Sequence, residues 1–131
     1  MPSKETHGHT WAMVCHLATF AGWIIPFGNI LGPLVAWLAE REEHPHINDQ
    51  GKEAVNFNIS TTIYGIVLGV VAIVGFVAAL ATEMVASLLV MAALIGGIAL
   101  LFFHFIFTLI AAYRAQHGIK YRYPLTIRFI K

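Results

Sequence analysis

Gly51-Lys52-Glu53-Ala54-Val55-Asn56-Phe57-Asn58-Ile59-Ser60-Thr61-Thr62-Ile63-Tyr64 decides how this chain folds. The charges in the middle of the chain lie just before this stretch or at its start, and an apolar run follows from Ile63 to Ala81. The stretch therefore passes from water into an oily phase and carries Asn56, Asn58, Ser60, Thr61 and Thr62 with it. Amides and hydroxyls entering a bilayer are costly unless they find partners within the protein.

The composition agrees. The chain has 131 residues, 58% hydrophobic and 11% charged, where a soluble domain has about a quarter of its residues charged. Runs of about twenty apolar residues place it in the membrane class. A formal net charge of +1 argues against a nucleic-acid partner. Cys15 is the one cysteine, so no intrachain disulfide forms, and it reads as a small buried hydrophobe. The leader 1–10 is short, with Lys4 offset by Glu5, and the apolar segment after it outruns a signal-peptide core of about 7–15 residues. That segment is expected to stay in the mature protein.

Three regions follow: a loose polar tail (1–10), a helical membrane domain (11–113) and a basic interfacial tail (114–131). His7 and His9 in the first tail read as solvated rather than as a metal clip. Trp11 to Ala39 is apolar but broken by Pro26-Phe27-Gly28-Asn29 and by Pro33. It reads either as one kinked helix or as a hairpin of Trp11–Ile25 and Ile30–Ala39 with short arms. The hairpin is favoured, because it puts Trp11 and Trp37 at one interface and Trp23 at the other or at the tip. Gly28 offers positive φ at the turn. Glu40 to Glu53 reads as a solvated connection, with Pro45 stopping the preceding helix and Asn48 or Asp49 capping a short interfacial helix.

Two long apolar segments come next, Ala54–Leu80 and Val85–Tyr113, joined by a reversal at Ala81–Met84. In the first, Gly65, Gly69, Ala72, Gly75 and Ala79 recur at helical spacing, a small-residue stripe that lets backbones approach in lipid. Ala93, Gly96 and Gly97 offer a matching face in the second. Gly118 is expected to end the last helix. Beyond Tyr113, Arg114, Lys120, Arg122, Arg128 and Lys131 hold five of the eight basic residues with no acid among them. The positive-inside rule puts that tail, the Glu40–Glu53 loop and both termini in the cytoplasm. Its aromatic and aliphatic residues lay it along the headgroups. The expected fold is an all-α integral membrane protein of about four membrane helices: a broken hairpin and two long spans.

Two stretches, Gly51-Lys52-Glu53-Ala54-Val55-Asn56-Phe57-Asn58 with Ile63-Tyr64, and Tyr121-Arg122-Tyr123-Pro124-Leu125-Thr126-Ile127-Arg128, resemble a family of small bacterial membrane proteins of unknown function. That family is grouped with the twenty-kilodalton Tic-type subunit of the chloroplast inner-envelope translocon. Trp11 to His16-Leu17 and Pro26-x-Gly28 resemble its first segment. The resemblance implies four membrane helices and a role akin to protein translocation. It transfers no catalytic residue.

Two histidines sit in apolar surroundings, His16 and His104, each roughly 9–13 Å from a helix end by helical rise. With Asn56, Asn58, Thr62 and Thr108 they define a candidate intramembrane polar cluster. It reads as a packing network that fixes helix register, with an ion, lipid or cofactor site, bis-His heme ligation included, as the alternative. No His-Glu-x-x-His, Gly-x-Ser-x-Gly or phosphate loop occurs, and Ser60 and Ser87 have no acid–base partner nearby in sequence. The leading expectation is a non-catalytic cell-membrane protein without metal or cofactor. It would act as a scaffold or translocation-related component, with lipid and other membrane proteins, or a second copy of itself, as partners.

Overall fold

The computed structural model describes residues 3–131; Met1 and Pro2, the start of the expected polar tail, lie outside that range. The chain is all-helical among the described residues. It comprises α1 (Lys4–Leu17), a 3₁₀ stretch (Ala18–Trp23), α2 (Gly28–Glu40), α3 (Pro45–Ala78), α4 (Glu83–Gln116) and an extended tail (117–131). It divides into two compact units, one of residues 1–60 and 106–131 and one of residues 61–105.

The helix ends show why the elements fall where they do. Residues 4–10, expected to be loose, are helical, because the Ser3 hydroxyl accepts from the Thr6 amide at 3.1 Å and caps α1. The first apolar segment is a hairpin rather than a kinked rod. Its turn departs from expectation in one detail: Phe27, not Gly28, takes the left-handed conformation (φ 59°). Gly28 is needed for closeness instead, since a Cβ there would collide with the Ala21 carbonyl. The Phe27 carbonyl then accepts from Ile30 and Leu31 at 3.0 and 2.9 Å and starts α2.

Pro45 does not end a helix followed by a long loop. It opens α3, at the position where a missing N–H costs nothing. The cap is His44, whose Nδ1 accepts from the His46 amide at 3.1 Å. Asn48 and Asp49 are therefore not caps but face residues of a helix that runs unbroken to Ala78. At the other end, Gly118 (φ 73°) closes α4 as expected. Its amide donates to Ala115 and the Ile119 amide to Arg114, both at 3.0 Å, which is a Schellman closure.

The first unit has a core of Cys15, Ala36, Trp37, Ile47, Ala54 and Val55. Trp37 belongs to that core, 6% exposed, and not to an interfacial belt; Trp23, at the hairpin tip, is 79% exposed. Trp37 reaches α3 because residue 51 is glycine: a Cβ there would strike the indole. The Trp37 Nε1 donates to Asn48 Oδ1 at 2.9 Å, and Trp11 Nε1 to the Ala36 carbonyl at 2.8 Å.

The second unit is built differently. In the most apolar window of each long helix only 11% of residues are buried. Ile66, Val70, Ile73, Phe76, Ile95 and Phe102 are exposed. A soluble protein buries its most apolar helices, whereas this surface is suited to hydrocarbon. The small residues divide. A Cβ at Gly75 would lie 2.9 Å from Leu89 Cβ and one at Gly96 3.0 Å from Leu68 Cδ2, so the helices touch there. Gly69 and Gly97 have nothing within 4 Å, and Gly65 only Leu100 at 3.9 Å. Together with Ala72 they line a shallow apolar hollow of about 460 Å³ rather than a tight seam.

Candidate functional site

The polar residues of the opening stretch sit on a helix, so their spacing fixes which of them share a face. Asp49/Gln50, Glu53, Asn56/Phe57 and Ser60 recur every three or four residues and form one stripe on α3. Along this stripe lies the tail, an extended segment with no strand among the described residues to pair with. Its backbone groups are bonded by side chains of α3 instead.

Reading along α3, each partner lies farther along the tail or folds back over it. Gln50 Oε1 accepts from the Tyr121 amide at 3.2 Å. Glu53 Oε1 accepts from the Tyr123 amide at 2.9 Å. Asn56 acts as a stand-in peptide group: its Nδ2 donates to the Ile130 carbonyl at 2.8 Å, and its Oδ1 accepts from the Ile130 amide at 2.9 Å. Ser60 Oγ accepts from the Ile127 amide at 2.9 Å. Charges reinforce the strap. Asp49 takes Arg122 in a two-pronged pair at 2.6 and 2.9 Å, and Glu53, 3% exposed, takes Arg128 at 3.0 and 3.2 Å. The Phe57 and Tyr123 rings stack with centroids 3.7 Å apart.

Beneath the strap lies His16, fully buried. Its Nε2 faces Gln50 Oε1 at 3.1 Å and its Nδ1 the Tyr123 hydroxyl at 2.9 Å. An amide oxygen only accepts, so Nε2 carries the proton and Nδ1 accepts from the phenol. This is the neutral ring. Burial pushes the His16 pKa down to about 4 and raises that of Tyr123 well above the usual phenol range. Burial also raises the Cys15 thiol to about 12, which leaves it inert.

The expected polar cluster is thus partly assembled. His16, Asn56 and Asn58 lie in the first unit within this network. Asn58 turns to the hairpin, where its Oδ1 accepts from the Thr19 hydroxyl and its Nδ2 donates to Ala54 at 2.8 Å. Thr19 also stands 3.4 Å from the Asn29 carbonyl, the acceptor that Pro33 leaves without its helical N–H. Thr108 is buried beside the Tyr123 phenol, with its hydroxyl outside hydrogen-bond geometry. Thr62 and His104 belong to the second unit. Of the basic residues assigned to the headgroups, Arg122 and Arg128 are committed to carboxylates, and Arg114 lies over the Tyr121 ring at 5.7 Å.

Sequence reasoning missed Gln50, Glu53, Thr19 and Tyr123 as members of the site. The period of three and four from Asp49 to Ser60 was the available signal. Sequence reasoning also separated histidines that the fold gathers. Glu5 Oε2 lies 3.6 Å from His9 and 3.5 Å from His44, His7 meets Glu40 at 3.1 Å, and His46 meets the Ala115 carbonyl at 2.9 Å. Among the described residues no group of three or more His, Cys, Asp and Glu is placed to hold a metal ion.

Two long, apolar, outward-facing helices joined to a polar-bonded helical unit define a small membrane-type helical protein. The family model that matches, over residues 7–130, is that of the magnetosome magnetite crystal formation proteins (MamF/MmsF). The chain belongs to this family. The small-membrane-protein resemblance is thereby given its proper family, and the comparisons returned nothing for the Tic-type translocon group. No curated protein and no solved structure matched.

Proposed function

We propose that this chain is a non-catalytic integral component of the magnetosome membrane that serves magnetite crystal formation as a scaffold. The apolar halves of α3 and α4 cross the bilayer, and the basic residues of the tail support a cytoplasmic side for it by the positive-inside rule. The observation that carries this reading is the pair of long helices whose most apolar windows are only 11% buried, in a chain of the crystal-formation family. The polar network favours scaffolding over an ion or cofactor site. Both ring nitrogens of His16 and both ends of the Asn56 amide already have partners within the chain.

Deletion and complementation in a magnetite-forming bacterium tests the reading. Loss of the protein is expected to change crystal size or number, and the protein is expected to stay with magnetosome membranes through an alkaline carbonate wash. Unchanged crystals, or release by carbonate, would overturn it. Cysteine probes at Ser3, Glu43 and Gln116, on a background with Cys15 replaced, are expected to label from the cytoplasmic side. Labelling of any of them only from the magnetosome lumen would refute the orientation.

A further inference from the structure

The strap creates a second feature on its outer side, a concave pocket of about 370 Å³ over the first turns of α3. Its walls carry five cationic side chains and two carboxylates. The carboxylates, Asp49 and Glu53, are already matched by Arg122 and Arg128. Asp49 spends both oxygens on Arg122, with a further bond from Gln50 Nε2 at 2.7 Å. Glu53 spends both on Arg128 and also holds the Tyr123 amide.

What remains is Lys52, Lys120 and Lys131. Among the described residues none of the three has an Asp or Glu carboxylate within ion-pair distance, and the Lys52 ammonium donates to the main-chain oxygen of Lys131, the last residue of the sequence, at 3.2 Å. The hollow stays cationic even so: five cationic side chains face Asp49, Glu53 and, where Lys131 ends the chain, its α-carboxylate, and Asp49 is shared between Arg122 and the field of Lys120. The start of α3, with Pro45 and Asn48 in the wall, adds the positive end of a helix dipole.

We infer that this pocket binds a phosphate-bearing anion, either the headgroup of an anionic phospholipid or free phosphate. Lysines grip phosphate as point charges, without the planar geometry that a carboxylate draws from arginine. The site is also near the right layer for a headgroup. From Asn56 in the wall to Ile63, where the apolar run begins, is seven residues of helix, about 10 Å. The inference goes beyond the scaffolding role. It assigns a ligand class to residues that the family match leaves without one.

The full-length protein in an uncharged detergent would be titrated with inorganic phosphate, with short-chain phosphatidic acid and with short-chain phosphatidylcholine. Saturable binding of phosphatidic acid alone assigns the site to lipid. Saturable binding of both phosphate and phosphatidic acid assigns it to the free anion. In either case the Lys52→Ala/Lys120→Ala variant is expected to bind about tenfold or more weakly. Lys4→Glu, an equal change in net charge far along the sequence, is expected to bind like the parent. Both variants change exposed or half-exposed side chains, and an unchanged melting temperature confirms the fold. No saturation with either phosphate compound, equal weakening by Lys4→Glu, or tighter binding of a polyglutamate peptide than of phosphatidic acid would overturn the assignment.

Discussion

The two units of this chain solve the same problem with opposite materials. In residues 61–105 the helix surface is nearly all hydrocarbon, most of it exposed, and contact falls at Gly75 and Gly96. In residues 1–60 and 106–131 nearly every buried polar group has a named partner, and many of those partners are tens of residues away in sequence. A helix in lipid needs little more than apolar side chains, because its backbone bonds are satisfied internally. An extended tail has no such internal bonds, so something else must supply them. Here α3 supplies them with side chains.

If that contrast is right, the first unit should be fragile to single polar changes and the second tolerant of most small ones. The largest effect is expected for Arg128→Ala, which strips the two-pronged partner from a carboxylate that is 3% exposed. A loss on the order of 3 kcal/mol is expected, measured by denaturation of the detergent-solubilised protein. A change below about 0.5 kcal/mol would mean that Glu53 keeps enough water or enough of Arg122 to stay solvated. Asn56→Leu comes next. It removes both bonds to Ile130, at an expected cost of about 1–3 kcal/mol, and should expose residues 124–131 to protease. A tail as resistant as the parent's would locate its anchorage elsewhere.

Acid should loosen the first unit. His16 is neutral in the fold, with its pKa lowered to about 4, and titrates near 6.5 when unfolded. The unfolded chain therefore takes up the proton first. Stability is full above about 6.5 and falls as the pH drops towards 4, by up to about 1.4 kcal/mol per pH unit. The pH profile of His16→Asn should be flatter across that window; an identical slope would assign the acid sensitivity to another group. The smallest effects distinguish glycines within the second unit. Gly75→Ala is expected to destabilise by about 1 kcal/mol through its collision with Leu89 and Val90. Gly69→Ala, with open space around it, should be neutral or slightly stabilising. Equal melting of the two variants would show that the contact at Gly75 yields without strain.

Local chemistry made much of the fold legible in the sequence. The apolar runs, the break at Pro26–Asn29, the reversal before Glu83 and the stop at Gly118 each announce themselves within a few residues. The helical start of α1 at Lys4 and the opening of α3 at Pro45 were hidden because Ser3 and His44 act as caps. The sequence around each reads equally well as tail or loop. Of the strap one part of the grip is legible: Asn amides entering at Asn56 and Asn58 need backbone partners, for which the tail or the Tyr113 end of the last helix is the expected place, and Asn56 finds them in the tail. The rest was hidden for a deeper reason. Its bonds join residues some seventy positions apart, and an extended segment bonded by side chains leaves no period of two or of 3.6 to find. Yet the two stretches that carry the small-membrane-protein resemblance, Gly51–Asn58 and Tyr121–Arg128, are the two that meet along the strap. The two motifs are the two halves of one contact.

The reciprocal pairing of Asn56 with Ile130 reads main chain, not side chain. The same is true of Ser60 with Ile127. A grip of this kind does not itself read the side chain at either tail position. Proline is the exception, because it has no N–H for Asn56 or Ser60 to accept. At position 130 the side chain is read separately, because Ile130 packs against the core of Cys15, Trp37 and Ile47. At these two positions the tail is held as a cord is held by a cleat, by its backbone, while Arg122, Tyr123 and Arg128 are held by what they carry.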